Sequence, residues 1–379
     1  MNTEPEYDVV IIGGGLAGLS LSIQLNDAGY KVIVLEKEHY PRHKVCGEYI
    51  SMESKPFLER LGIPITLMKL PIINMLQVSD IKGRVLNANL PQGGFGMSRH
   101  KLDATLATIA ERKGIKLLNN SKADDAQFED GIFRVKAGRN LFTAKVVCGA
   151  WGRRSNLDTK LHRSFIKEQK KTLNNYVGVK YHVRYPWPEH LIALHNFKNG
   201  YCGISRVEDD KCCLCYLTTA ANLQVSGNDI KRMENKILMQ NPYLKEIFSH
   251  LTILYEHPLT ISRISFQKKE QVQDHIIMLG DAAGMISPLC GNGMSMAFHS
   301  SLMAFDSIND FLQQKINRVQ MEIAYSKRWN QQFSRRLSMG RFLQSRFGKE
   351  QGISFFLKFM KALPFLQKPL IRATAGEAF

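Results

Sequence analysis

The residues whose types and spacing best suit chemistry lie in a glycine cluster near the N-terminus. Residues 13–18 read Gly-Gly-Gly-Leu-Ala-Gly and follow a β-branched run, 9–12; a helical pattern and a second such run, 32–35, come next and end at Glu36. In a βαβ unit these glycines allow a tight turn and the close approach of a pyrophosphate to the amides of a helix N-terminus. An acid at the end of the second strand accepts ribose hydroxyls. The pattern therefore predicts a dinucleotide site.

The carboxylate of Glu36 would repel a 2′-phosphate, so we expect FAD or NAD and not NADP. The predicted contacts in this unit are Gly13, Gly15, Leu16, Ala17, Gly18, Glu36 and Lys37.

A second glycine-rich region, far along the chain, decides between these two cofactors. Residues 276–279 read as a buried strand, residues 280–294 hold a glycine-rich loop, and a helical pattern continues to about Phe311. On these residues the chain resembles the FAD-dependent oxidoreductases of the para-hydroxybenzoate hydroxylase fold, and within them the geranylgeranyl reductase and flavin-halogenase branch. The resemblance covers most of residues 7–310 and implies FAD.

The resemblance assigns roles in the second region. Asp281 would hydrogen-bond the ribityl chain, and Pro288 would pack near the flavin ring. Backbone amides at residues 291–293 would face N1 and the C2 carbonyl, where a helix N-terminus stabilises negative charge. The predicted contacts here are Gly280, Asp281, Pro288, Gly291, Asn292, Gly293 and Met294.

Two shorter segments add to the resemblance. Arg99, which opens the helical pattern after Ser98, matches an arginine that touches FAD, although it also reads as a solvated first-turn residue. Residues 44–47, Lys-Val-Cys-Gly, resemble the Lys-x-Cys-Gly signature of the reductase branch. This implies that Cys46 and Gly47 lie along the flavin, with Arg42 near its ribityl or phosphate groups.

Cys46 admits several roles. No second cysteine lies at a short spacing, so dithiol chemistry is disfavoured. A small buried residue that shapes the flavin pocket is favoured over a reactive thiol, and covalent flavin attachment stays open.

The chain departs from the family at residues 149–152, which read Gly-Ala-Trp-Gly where the hydroxylases carry Gly-Ala-Asp-Gly. Trp151 thus replaces an acid associated with FAD and with NAD(P)H use, and a second glycine fingerprint is missing. The electron donor is therefore open between NAD(P)H and a redox protein. The tryptophan-rich motif of flavin halogenases is also missing, which makes halogenation a minor option.

The fold class predicted is α/β: a three-layer, Rossmann-like FAD-binding domain with a parallel sheet, an antiparallel-sheet substrate domain and a C-terminal helical segment. Alternating patterns at residues 176–185, 201–207 and 211–217 indicate the antiparallel strands. The expected boundaries are 1–70, 97–156 and 270–315 for the FAD-binding domain, 71–96 and 157–269 for the substrate domain, and 316–379 for the C-terminal segment.

No metal site and no catalytic acid or base is predicted. Cys212, Cys213 and Cys215 lie at adjacent and alternating strand positions, which do not give tetrahedral ligand spacing. In this fold the flavin performs the chemistry.

The net charge of +17 is concentrated in residues 316–379, which hold 12 basic and 3 acidic residues. Residues 353–363 place most of their apolar side chains on one helical face, so this segment either packs on the protein's own core or docks on an anionic membrane. Seven cysteines without a disulfide framework favour a reducing compartment, so we expect a cytoplasmic protein with or without a peripheral membrane contact. We expect no nucleic-acid partner.

The function predicted is a FAD-dependent oxidoreductase that acts on a bulky apolar or aromatic small molecule, like geranylgeranyl reductases. An aromatic monooxygenase, and a flavin protein for binding or electron transfer without turnover, remain as alternatives.

Overall fold

The computed structural model describes residues 4–169, 176–264, 266–344, 347–374 and 376–379. Two β-sheets with helices packed around them form the framework. This mixed α/β architecture confirms the predicted fold class.

The strands, in chain order, are β1 (Tyr7–Ile12), β2 (Val32–Leu35), β3 (Tyr49–Ser51), β4 (Ile72–Ser79), β5 (Val85–Gly96), β6 (Lys116–Leu118), β7 (Asp125–Glu129), β8 (Ile132–Ala137), β9 (Asn140–Gly149), β10 (Tyr176–Arg184), β11 (Leu191–Phe197), β12 (Gly200–Arg206), β13 (Cys212–Thr219), β14 (Thr252–Ile253), β15 (Leu259–Ile264), β16 (Val272–Gln273) and β17 (Ile276–Met278). The α-helices are α1 (Leu16–Asp27), α2 (Lys55–Arg60), α3 (Arg99–Arg112), α4 (Asn156–Lys160), α5 (Ser164–Gln169), α6 (Ala220–Val225), α7 (Ile230–Lys236), α8 (Pro242–His250), α9 (Gly293–Leu312), α10 (Arg318–Gln344), α11 (Glu350–Ala362) and α12 (Gln367–Thr374).

The first sheet has the order β16-β17-β9-β1-β2-β6, and β17, β9, β1, β2 and β6 run parallel. Its central strands are apolar throughout because helices cover them; β1 and β2 are almost entirely buried. The turn from β1 into α1 requires glycine. Gly13 has φ +110°, and a Cβ at Gly18 would lie 2.0 Å from the Gly13 carbonyl oxygen.

The second sheet has the order β14-β10-β13-β12-β11-β4-β5-β3, with β15 paired to β10. It is mostly antiparallel, as predicted, but β11 and β4 pair in parallel. Strand β3 lies within residues 1–70, the range expected for the FAD-binding domain, and it pairs with β5 of the second sheet. The chain therefore crosses between the two sheets directly after the Lys-x-Cys-Gly segment.

The C-terminal helices pack on both parts of the molecule. In α10, Tyr325 donates a hydrogen bond to the Met278 carbonyl (2.6 Å), and Trp329 and Phe333 are buried in the core of the first sheet. In α11, Ile353 and Leu357 are buried against Val78 and Leu86 of the second sheet. The buried face of α11 thus packs on the protein's own core, which was one of the two arrangements expected for this segment.

Candidate functional site

The carboxylate of Glu36 lies at the carboxyl end of β2, as the βαβ spacing predicts, and is almost fully buried. Its Oε2 accepts hydrogen bonds from the Gly14 amide (2.7 Å) and from Arg42 Nη2 (2.9 Å). Burial alone would raise the pKa of this carboxyl, but the charge of Arg42 and its hydrogen bond outweigh burial and lower the pKa. Arg42 therefore lies at the Glu36 end of the site, where the adenosine half is expected.

A small charged group faces the N-terminus of α1. A Cβ built on Gly15 would have only the Lys44 ammonium within 4 Å, at 3.6 Å. Lys44 Nζ lies 3.3 Å from Asp103, which also accepts hydrogen bonds from Arg99 Nε and Nη2 (2.7 and 2.9 Å). The positive charges of Lys44 and Arg99 exceed the negative charge of Asp103, and they lie beside a helix N-terminus where Gly15 has no side chain. Such a site suits a pyrophosphate.

Asp281 lies shortly after the parallel strand β17, and the charges of Arg99 and Lys44 act on its carboxyl group. In the described part of the chain, its carboxylate accepts no hydrogen bond. Burial raises its pKa, and the nearby charges of Lys269, Arg99 and Arg153 oppose that shift. A half-buried carboxylate without a donor, next to Arg99, fits the hydroxyl-rich ribityl chain that the resemblance assigns to it.

The loop between Asp281 and α9 is held from several sides. Gly291 has φ +66°, and a Cβ there would lie 3.1 Å from the Tyr49 ring at the start of β3. Helix α10 supports the other side of the loop: Trp329 packs against Gly284, and Ser287 donates a hydrogen bond to Gln344 (2.8 Å). The first turn of α9, from Gly293, thus has a fixed position, which a helix N-terminus needs if it is to stabilise charge.

Cys46 is half-buried, and its Sγ accepts from the Glu48 amide (3.5 Å). Burial raises the pKa of the thiol. A protonated thiol is a poor nucleophile, which disfavours a reactive-thiol role for Cys46. That Cys46 shapes the flavin pocket stays a prediction.

Trp151 lies across the end of β9, with its ring directly over Gly149. Its Nε1 donates to Asp158 (3.1 Å), which is fully buried and also accepts from Arg163 (3.0 Å). The acid that the family carries at position 151 is therefore replaced by an indole bonded to a carboxylate seven residues further on.

Most of the predicted contacts are brought together. Gly13, Gly15, Leu16, Ala17 and Gly18 form the β1–α1 turn, and Arg42 reaches Glu36. The charge of Arg99 acts both on Asp281 and on Cys46, which Gly47 follows. Gly280, Gly291, Asn292, Gly293 and Met294 form the β17–α9 connection and the first residues of α9. Lys37 is the exception, because its side chain is 62% exposed and lies 3.7 Å from Glu38. Pro288 is exposed at the tip of its loop. Contact of these residues with FAD stays a prediction.

Sequence reasoning missed a buried polar cluster around Glu48. Glu48 accepts from the Arg99 amide (2.7 Å) and from Lys180, and it lies 2.5 Å from His182. A signal was present: Lys180 and His182 alternate with the apolar residues of β10, so they share the face of the strand opposite to its apolar core.

Glu48, His182 and Cys213 have potential metal-ligand atoms within 4.8 Å of one another. The Lys180 ammonium already occupies Glu48, and the Cys213 thiol, whose pKa burial raises, donates to the Cys46 carbonyl (3.2 Å). A bound cation would have to displace both interactions, so this group does not suit a metal.

The sequence matches the family model described as "FAD binding domain" over residues 6–315. The chain belongs to this family. It is 24% identical over 363 residues to "Conditioned medium factor receptor 1" of Dictyostelium discoideum, covering 89% of this chain and 70% of that protein. It is also 24% identical over 357 residues to "Digeranylgeranylglycerophospholipid reductase" of Methanococcus vannielii, covering 86% and 83% of the two chains.

Among solved structures, the flavin-dependent brominase Bmp2 superimposes with a TM-score of 0.80 at 19% identity, covering 98% of this chain and 94% of the other. At that identity the similarity shows the shared fold. The resemblance that the sequence predicts is confirmed, and FAD is the cofactor of this family member.

The residues present fit FAD at both ends. The unsubstituted backbone at Gly15 facing Lys44, and the carboxylate of Asp281 without a donor, are the two features of the described chain that a bound dinucleotide would complete.

Proposed function

We propose that this FAD-dependent oxidoreductase acts on a bulky apolar or aromatic small molecule, with chemistry like that of the reductase branch. The supporting observation is an apolar cluster between the second sheet and the β17–α9 loop. Tyr201, Leu217 and Ile264 are its buried members, and Met285 and Leu289 pack on them from the loop. A substrate bound here would lie next to the segment that we propose for the flavin ring.

Tyr201 gives the buried part of this cluster a hydroxyl group. Its side chain is 4% exposed, and its hydroxyl has no hydrogen-bond partner in the described chain. A buried hydroxyl without a partner costs about 1–3 kcal/mol, so such a group calls for a ligand or water to satisfy it. We infer that the substrate carries an oxygen that bonds to Tyr201.

The bound FAD supplies two-electron redox chemistry, and the chain's residues bind, orient and shield it. We propose that the residues predicted above are the FAD contacts, with Lys44 and Asp103 added at the pyrophosphate. The domain division predicted from the sequence is part of the same proposal.

Trp151 bears on the electron donor. With an indole in place of the family acid, we expect free NADH or NADPH to reduce the flavin slowly, and a redox protein to be the better donor. Anaerobic stopped-flow mixing with excess NADPH tests this. Reduction on the millisecond scale would remove the idea.

Anaerobic reduction followed by mixing with air separates the reductase from the monooxygenase. We expect slow reoxidation directly to oxidised flavin. A transient absorbing species that is neither oxidised nor reduced flavin would favour the monooxygenase. A third outcome would favour electron transfer without turnover: a redox protein reduces the flavin fast, and no added apolar or aromatic compound changes the flavin absorption spectrum.

We also propose a peripheral contact with an anionic membrane through α11 and the turn after it. Phe355 and Phe359 are 71% and 43% exposed and stack on each other, and Phe365 is 70% exposed. Lys358 and Lys361 are exposed on the same helix. Exposed aromatic side chains among lysines are typical of interfacial helices, and no helix in the described chain is long and apolar enough to cross a bilayer.

Co-sedimentation with phosphatidylglycerol vesicles tests this contact. The double variant Phe355→Ser, Phe359→Ser should lose binding at low salt, while Leu67→Ser, at an exposed leucine elsewhere, should keep it. Equal binding by both variants, or none by the wild type, would remove the membrane contact.

A further inference from the structure

Glu48 holds an unusual position for a glutamate. Its φ is +56°, a left-handed conformation that disfavours side chains with a Cβ by about 1 kcal/mol or more. Its side chain is fully buried, yet ionised: burial would raise the pKa of this carboxyl, but the hydrogen bond from His182 and the charge of Lys180 lower it. A strained, buried, charged residue directly after Gly47 indicates a role for its carboxylate beyond packing.

The carboxylate begins a hydrogen-bonded chain that leads outward. Glu48 Oε2 lies 2.5 Å from His182 Nε2, and His182 Nδ1 lies 3.1 Å from the Tyr255 hydroxyl. Because Glu48 is ionised, Nε2 carries the proton and donates, which leaves Nδ1 to accept from Tyr255. Tyr255 is partly exposed on the loop after β14. The chain thus joins the buried Glu48 to solvent.

Other titratable groups face this chain from every element around it. Lys180 lies on the same strand, and Cys213 lies opposite His182 on β13. His43 meets the ring of His182 edge-on, contacts the ring of Tyr255 and stacks on His100. Lys211 and Glu208 act on Tyr255, and Arg99 and Cys46 act on Glu48. Burial, with the neighbouring His100, lowers the pKa of His43 to about 4, so His43 is neutral at pH 7. The Cys213 thiol is protonated, because burial raises its pKa. His182 is the member of this group whose ring nitrogens bond on one side to Glu48 and on the other to Tyr255, so it joins the buried carboxylate to the exposed end of the chain.

The inner end of the chain adjoins the flavin segments. Glu48 is covalently joined to Gly47, and it accepts from the amide of Arg99, whose charge also acts on Asp281. A negative charge that develops on a ring bound beside these residues would raise the proton affinity of His182.

We propose that His182, held between Glu48 and Tyr255, takes up a proton from solvent when the bound flavin is reduced. This inference rests on the proposed function, since it requires FAD at the predicted site.

The step balances as follows. Two electrons from a two-electron donor, dithionite in the experiment below, pass to FAD together with one proton. Tyr255 gives its hydroxyl proton to His182 Nδ1 and is reprotonated by a proton from bulk solvent, while Nε2 keeps its proton bonded to Glu48. Overall, two electrons and two protons enter, one proton resides on His182, and the extra negative charge of the reduced flavin is matched by the imidazolium.

The test is the number of protons taken up per two electrons, obtained from the slope of the flavin midpoint potential against pH between about pH 6 and 8, where imidazoles titrate. The wild-type holoenzyme is titrated with dithionite beside His182→Gln and Glu48→Gln. Both variants should take up fewer protons than the wild type, by up to about one per two electrons. Glu48→Gln keeps the shape of the side chain, so it serves if His182→Gln does not fold.

His195→Gln is the matched control, because His195 is a buried histidine of the same sheet that bonds to Ser79 (2.9 Å) and takes no part in the hydrogen bonds from Glu48 to Tyr255. It should keep the wild-type stoichiometry. Equal stoichiometry in the wild type, His182→Gln and Glu48→Gln, with FAD bound in all three, would overturn the inference and leave the proposed function intact. Absence of bound FAD in the wild type would overturn both.

Discussion

Two buried glutamates mark the two regions of this molecule. Glu36 directly follows a strand of the first sheet, and its partners are the amides of Gly14 and Glu38 and the guanidinium of Arg42, all in loops beside it. Glu48 lies where the chain crosses to the second sheet, and Lys180 and His182 reach it from β10. Because the partners of Glu36 lie in loops, a bound ligand can displace them from its carboxylate. Glu48 ties β3 to β10, two strands that lie near opposite ends of the second sheet, and the charge of Lys180 balances its carboxylate.

The largest effect should come from Gly15→Val, on the Glu36 side. A side chain there meets only the Lys44 ammonium, so the protein should fold but lose FAD completely. FAD content after gel filtration and circular dichroism check both halves of this prediction. Gly18→Val is the contrast, because its Cβ would strike the Gly13 carbonyl and should impair folding. Wild-type flavin content in Gly15→Val would show that this loop does not bind the pyrophosphate.

On the Glu48 side the expected loss is in stability. Glu48→Ala leaves the buried Lys180 without its carboxylate, which should lower the free energy of unfolding by about 3–5 kcal/mol. Urea denaturation measures it. A loss under about 1 kcal/mol would contradict the view that Glu48 ties β3 to β10.

Glu36→Ala should have a small effect on stability and a large effect on FAD affinity. Arg42 keeps the Gly14 carbonyl (3.0 Å) and has Glu38 within 3.6 Å, so the protein without FAD should lose only about 1–2 kcal/mol of unfolding free energy. FAD affinity should fall at least about tenfold, because the ribose hydroxyls lose their acceptor. Unchanged affinity, measured by flavin fluorescence quenching, would remove Glu36 from the site.

The smallest expected effect is on the stability of the protein at acidic pH. The folded protein lowers the pKa of both carboxyls, so each stabilises it above the ordinary carboxyl pKa, and that stability is lost as pH falls through the lowered values. Between about pH 5 and 3 the wild type should therefore lose more unfolding free energy than Glu48→Gln. Parallel curves for the two proteins would show that Glu48 is not held ionised.

The same pair of residues shows what could be predicted from the sequence. Glu36 follows from spacing, because a βαβ unit places glycines, helix and acid within about thirty residues of each other. The spacing around Glu48 gives no such signal: its partners lie 132 and 134 residues away, and their meeting depends on how the two ends of the second sheet come together. The support that α10 gives the β17–α9 loop, through Trp329 and Gln344, was missed for the same reason. Spacing says less about Lys37: it follows Glu36 directly in the sequence, but its side chain is 62% exposed, and its contact with FAD stays a prediction.

The measurement that bears most directly on this account is the flavin content of the purified protein. Released cofactor, separated by liquid chromatography and quantified against protein, should be FAD, at about one per chain, since the β1–α1 turn and the β17–α9 loop form two halves of a single site. A protein that carries no flavin, and that retains none after incubation with excess FAD, would contradict it.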